Sequence, residues 1–308
     1  TKLLDRNRED YVDYADHCGH SLVIQQKTRR EHSYPQFSKL TVSLDLMDRG
    51  SSAILLKAKP AKSGGLFGDE DDSSPFPGFN LGELAIITFQ NLKILDPETL
   101  FFHALATMHS PAYREANAGA LRQDWPRIPW PADPGAIRQP EALRATLETS
   151  AALGRRIAAL MDSETPVPGV TTGTLDPEIK GIAEFARLDG ATGGKPNLRL
   201  QARWGYRGQG GVVMPATGKT LDYGTHLTIQ ANDEMGWHNV PRAVWEYKLG
   251  GYQVLKKWLS YREFEVLERD LLVDEVIHVT DTARRIAALI ALGPELDAAH
   301  AAVCDALE

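Results

Sequence analysis

At 308 residues, 43% of them apolar, the chain is long enough for one large domain or two ordinary ones and can build a substantial core. A formal charge of −7 argues against a protein that coats nucleic acid indiscriminately, and the two cysteines, Cys18 and Cys304, point to neither a disulfide framework nor a cysteine-based zinc site. No apolar run approaches the roughly 18 residues of a membrane helix and no secretion signal opens the chain, so a cytoplasmic protein without membrane contact is expected, and the polar start at Thr1 suggests a portion of a longer polypeptide.

In chain order, SLVIQQK (21–27) and AILLKAK (53–59) are predicted strands. KSGGLFGDEDDSSPFPGFN (62–80) is rich in Gly, Ser, Pro and acids and is an expected mobile loop. From Asp96 the pattern turns helical: Asp96 can cap, Pro97 suits the first helical position, and Leu100, Phe101, Ala104, Leu105 and Met108 recur at helical spacing. Ser110 and Pro111 repeat that start signal and predict a second helix to about Leu121. The prolines of DWPRIPWPADP (124–134) forbid helix and predict an extended strap offering Trp125, Ile128 and Trp130 for packing. A third helix is predicted over about Pro140 to Met161, with Leu143, Leu147, Leu153, Ile157 and Leu160 on its apolar side.

Past Pro196 the chain changes to short β-like runs with turn residues. In NVPRAVWEYKLGGYQVLKKWLSYR (239–262), Asn239 is predicted to cap a helix starting at Pro241, Gly250 and Gly251 to end it, and a second helix to begin near Tyr252. Trp245 and Trp258 are assigned to the core, and Lys256 and Lys257 to the opposite side. Acidic, alanine-rich helices are expected from about Asp281 to Leu307. The whole reads as an α+β chain, a mixed β-rich core with a helical subdomain, in segments 1–135, 136–194 and 195–308.

Charge is segregated: residues 1–62 carry 11 basic and 8 acidic residues, and 195–262 carry 10 and 4, whereas 63–194 carry 10 and 18 and 263–308 carry 3 and 11. The chain carries no complete catalytic, phosphate-binding or metal motif. MPATGKT (214–220) misses phosphate-loop spacing because position 213 is Val213, and GYRGQGG lacks the third glycine of a dinucleotide fingerprint at the same position. DHCGH (16–20) offers His17, Cys18 and His20, but no second cluster to complete a metal site. His103 and His109 are assigned structural roles, and no carboxylate pair or nucleophile elbow is spaced for catalysis.

FFHALATMHSPAYREANAGALRQDWPRIPWP (101–131) resembles a stretch in which a helix ending His-Ser-Pro-x-Tyr-Arg is followed by Asp-Phe-Pro-Arg-Ile-Pro, here with Trp125 where phenylalanine is usual. That pairing is typical of the C-terminal specificity domain of Type ISP restriction-modification enzymes and related adenine-specific DNA methyltransferases. The 239–262 stretch is similar to a second hallmark of that domain, and ALGRRIAAL (152–160) resembles its intervening helix. The resemblance runs from about Ser21 to Arg262 and implies a target recognition domain, with duplex DNA and the catalytic methyltransferase domain of the same polypeptide as partners. It also implies S-adenosylmethionine in the parent enzyme and no cofactor, metal or catalytic residue here, since neither an Asn-Pro-Pro-Tyr motif nor a glycine-rich cofactor loop is present. On that reading Lys27, Arg29 and Arg30, with Arg199, Arg203, Arg207 and Lys219, are the expected DNA-binding residues, the loops of 195–230 enter the major groove, and the acidic segments face away from DNA or toward partner domains. Two other readings remain open: a module docking through its helices and acidic tail onto other subunits of a defence complex, and a stand-alone enzyme with an unfamiliar site.

Overall fold

The computed structural model describes residues 20–25, 33–39, 51–57 and 75–308. The expected loop at 62–80 falls largely outside them, as do Lys27, Arg29, Arg30, His17 and Cys18. The α+β expectation holds: the chain forms two compact units, residues 1–162 with 292–308, and residues 163–291. The last helix packs with the first unit.

The first unit holds an antiparallel sheet in the order β2-β1-β3, from β1 (Ser21–Gln25), β2 (Gln36–Ser38) and β3 (Ser51–Leu55). Around it lie α1 (Glu83–Leu92), α2 (Thr99–His109), α3 (Pro111–Ala116), α4 (Ala118–Leu121), α5 (Pro140–Met161) and the C-terminal helix Gly293–Leu307. The Ser110–Pro111 start signal works as read: the Ser110 hydroxyl accepts from the Tyr113 N–H at 3.2 Å and Pro111 opens α3. The expected second helix is interrupted at Asn117, whose side-chain amide, at 2.8 Å, joins its own backbone N–H, at 3.0 Å, on the Tyr113 carbonyl. α2 and α5 cross closely at Gly154, where a Cβ would lie 1.9 Å from the Phe102 carbonyl oxygen. Glycine is therefore required by backbone contact rather than by conformation. Phe89, Leu92, Ile94, Leu143, Leu147 and Val303 form a buried cluster with Trp130 of the strap packed against it.

The second unit is organised by an antiparallel sheet in the order β4-β9-β8-β7, built from β4 (Glu184–Arg187), β7 (Thr220–Asp222), β8 (His226–Gln230) and β9 (Met235–Pro241). β5 (Gly205–Arg207) and β6 (Val213–Pro215) form a separate hairpin. The helices are α6 (Pro177–Lys180), α7 (Arg242–Glu246), α8 (Val254–Ser260), α9 (Phe264–Leu267) and α10 (Val273–Ala291). Trp204 and Trp237 are fully buried; the Trp204 Nε1–H donates to the Gln230 carbonyl at 2.9 Å and the Trp237 Nε1–H to that of Val276 at 3.3 Å.

Three expectations are corrected here. Asn239 does not cap a helix but lies in β9, and the helix starts at Arg242. Gly250 and Gly251, with φ of 56° and 82°, do not end that helix; they turn a two-residue hairpin between β10 (Lys248–Leu249) and β11 (Tyr252–Gln253), in which Leu249 faces Tyr252. Positive φ at both central residues is what a tight hairpin demands, and adjacent glycines supply it. Finally, the run Val273–Leu307 is apolar enough, by length and composition, to cross a membrane. Alanines account for much of that hydropathy, and the larger residues are used in packing: Val276, Val279 and Ile286 are buried in the second unit, Leu296 and Val303 in the first.

Candidate nucleic-acid interface

The motifs that carry the resemblance in residues 101–131 fold into scaffold. His109 is buried, its Nε2–H donating to the Pro35 carbonyl at 3.0 Å, and Tyr34 stacks on its ring. The Ser110 hydroxyl donates to Asp297 Oδ1 at 2.6 Å, and the Ala112 N–H reaches the same oxygen at 2.9 Å. The Tyr113 hydroxyl donates to the Arg127 carbonyl of the strap at 3.1 Å, and the Arg114 guanidinium sits 4.0 Å from the Tyr34 ring centre. His103 ties the same strap to α5: its Nε2–H donates to the Pro129 carbonyl at 3.1 Å, which leaves Nδ1 to accept from the Ser150 hydroxyl at 2.9 Å. Burial lowers both histidines to about 4, so each is neutral at physiological pH, as its hydrogen bonds require.

The 239–262 stretch is also mostly support. Leu255 and Leu259 are buried, Trp245 packs against Trp204 at 5.4 Å between ring centres, and Trp258 lies between the His278 ring and the Arg262 guanidinium. Both tryptophans pack against neighbouring rings as expected, but they are half-buried rather than core. The Lys257 ammonium is 4.7 and 4.8 Å from the ring centres of Tyr252 and Tyr261, which hold it by cation–π attraction.

Of the four basic residues of the 195–230 block that were read as DNA-binding, Arg199, Arg203 and Arg207 lie along the segment 263–270 of the second unit, and Lys219 follows Gly218, whose N–H bonds the Arg203 carbonyl. Arg199 donates from Nε to Asp270 Oδ1 at 2.9 Å with its guanidinium over the Phe264 ring. Arg207 donates from Nη2 to the Val266 carbonyl at 2.7 Å and to Glu268 Oε1 at 3.2 Å. Lys219 pairs with Asp233 Oδ1 at 2.8 Å and holds that carboxyl below the usual range. Thus Glu268 and Asp270, in the acidic segment expected to face away, touch the basic block directly. These pairs are half-exposed, in a setting where an ion pair contributes about 0 to 1 kcal/mol, so each cation is available to a competing phosphate.

Arg203 is different. Its side chain is exposed and, among the described residues, makes no ion pair or hydrogen bond, while its backbone is held at φ 60°. The buried Glu263 carboxylate accepts from both the Arg203 N–H, at 3.0 Å, and the Trp204 N–H, at 2.9 Å, and the Arg203 carbonyl accepts from the Gly218 N–H at 2.9 Å. Burial raises the Glu263 carboxyl, and the two backbone donors oppose that shift. Nothing in the sequence flagged Glu263, which lies 60 residues from its partner.

Beside this block the β5–β6 hairpin presents Tyr206 and Met214, cross-strand neighbours that are both exposed, and β7 leads to the exposed Tyr223. Its tip, Gly208 to Gly211, is closed by a Gly208 N–H to Val212 carbonyl bond of 2.7 Å and continues into a strand. A nucleotide's phosphates need the N-terminus of a helix after such a turn, so these residues do not fit a phosphate-binding or dinucleotide loop.

The sequence matches the model of the Type ISP C-terminal specificity domain over residues 1–289. Among curated proteins no match was found. Similar solved structures include a cryo-EM structure of a DrdV–DNA complex, with a TM-score of 0.53 and 19% identity over 91% of this chain and 24% of that one. Another is the ATP-dependent Type ISP restriction-modification enzyme LlaBIII bound to DNA, with a TM-score of 0.53 and 15% identity over 90% of this chain and 16% of that one. At these identities the likeness establishes the fold alone, and the chain spans a quarter or less of those proteins.

Proposed function

The chain belongs to the family of Type ISP C-terminal specificity domains and is thus a target recognition domain, and from that premise we propose that it binds duplex DNA and discriminates among sequences through the surface formed by residues 199–223 of the second unit. The family match over 1–289 carries this reading. The arrangement around the block supports it: cations in loosely held surface pairs for phosphates, an exposed hairpin bearing Tyr206 and Met214, and the buried Trp204 and Trp237 in the core of the same unit. In the parent polypeptide, a separate catalytic domain would bind S-adenosylmethionine and transfer the methyl group, because this chain lacks both motifs. Lys27, Arg29 and Arg30 are proposed as further DNA contacts.

The test is selection from a randomised duplex pool by the purified chain, followed by mobility shifts of the recovered duplexes at two salt concentrations. One short sequence should be enriched, and affinity should fall steeply with salt. Equal retention of all duplexes, or none, would overturn sequence recognition by this chain and favour a protein-docking module.

A further inference from the structure

We infer that Arg203 is the residue of this surface that determines base preference, reading a guanine edge, and that Glu263 is the positioning residue that presents it. This deepens the DNA-recognition reading and rests on it.

Four observations converge on Arg203. Arg199, Arg207 and Lys219 each lie against a carboxylate, whereas the Arg203 guanidinium projects into solvent with no partner among the described residues. A guanidinium already neutralised has to break a bond before it contacts DNA; one left free presents its whole donor fork. Second, Arg203 occupies the left-handed region, which disfavours a side chain with a Cβ and persists only where the surroundings enforce it. The other described non-glycine residues at positive φ have local reasons or no exposed cation. Lys93 and Glu268 cap helices, Asn239 is a tolerant residue type bonded through its side chain to the Gly181 carbonyl, and Ala183 is buried.

Third, the conformation is fixed from three sides. Glu263 takes the N–H groups of Arg203 and Trp204 with one carboxylate, Gly218 takes the Arg203 carbonyl, and the Trp204 ring is locked under Gly218, where a Cβ would approach within 2.0 Å. Fourth, Glu263 is 4% exposed, so a carboxylate has been desolvated and used on two backbone donors of one loop. A glycine at 203 would relieve the strained backbone at once. The arginine is kept at a conformational cost, which makes sense if the side chain is what the loop exists to display. A bidentate arginine contact to guanine needs its Cα placed and oriented closely, and the carboxylate clamp supplies that rigidity.

The decisive variant is Arg203→Gly, which removes the side chain while easing the backbone, so the chain should fold at least as stably as the wild type. Selection from the random pool should show an unchanged motif except at one G·C position, where preference drops by about 5- to 150-fold, with nearly unchanged affinity for non-specific duplex. Arg203→Lys should restore only part of that preference. Glu263→Gln, which replaces one acceptor with a donor facing a backbone N–H, should blur the same position, while Lys219→Ala should weaken all duplexes alike and flatten the salt dependence. If Arg203→Gly retains the wild-type motif at every position, the assignment is wrong although DNA recognition stands. A wild-type chain with no base preference would sink both.

Discussion

Acid should loosen the first unit well before its carboxylates titrate. His103 and His109 are buried on one helix, each is held at about 4 against an ordinary 6.5, and each neutral ring satisfies a backbone carbonyl. A histidine whose folded value is lowered binds fewer protons in the folded than in the unfolded chain. Its contribution is therefore complete above the unfolded value and is lost as pH falls from about 6.5 towards 4. Integrating the two titrations from neutrality down to about pH 5 removes roughly 2 kcal/mol per histidine, or roughly 4 kcal/mol for the pair, a large share of a typical folding free energy. Burial also lowers His20 and His300 in the same unit, which adds in the same direction. The measurement is urea unfolding followed by circular dichroism near neutrality and at about pH 5, for the wild type and for His109→Gln, which keeps an N–H for the Pro35 carbonyl. The wild type should lose stability by the larger amount and the variant by about half as much. Equal stability of the wild type at the two pH values, or an identical loss in the variant, would refute the account.

Gly154→Ala should destabilise by roughly 3 kcal/mol despite alanine's better helix propensity, because the new methyl meets the Phe102 carbonyl carbon at 2.6 Å and its oxygen closer still. Thermal unfolding checks it, and a neutral result would mean that α2 and α5 are further apart than described. The double variant Glu268→Gln with Asp270→Asn removes the carboxylates facing Arg207 and Arg199, so affinity for all duplexes should rise by about threefold to tenfold without a change of motif, as read by fluorescence anisotropy. Weaker binding would instead assign those carboxylates to holding the arginines in place.

Much of the helical framework was legible locally. Ser110 followed by Pro111 marks a helix start whatever surrounds it, since the hydroxyl and the missing N–H act within one turn. The apolar spacing of Leu143 to Leu160 set the limits of α5 to the residue. The resemblance carried by residues 101–131 likewise named the family, although its residues turn out to stitch the strap, α2, α3 and the C-terminal helix together rather than to face a ligand. Gly250–Gly251 went the other way. Paired glycines suit both a helix end and a tight hairpin turn, and two-residue strands are too short to leave an alternating pattern.

What the amino-acid order determined alone was therefore whatever depends on near neighbours: the Ser110–Pro111 helix start, proline breaks, apolar faces and the clustering of positive charge in 195–262. Tertiary structure decided which of those charges remain available. Asp270 comes 71 residues after Arg199, Glu268 61 after Arg207 and Asp233 14 after Lys219. Electrostatic pairing depends on distance in space, and folding sets that distance by packing the 263–270 segment along Arg199 and Arg207 and by turning the chain between β8 and β9 so that Asp233 meets Lys219. Composition could count the cations, but only the fold could neutralise three of them and leave Arg203 exposed.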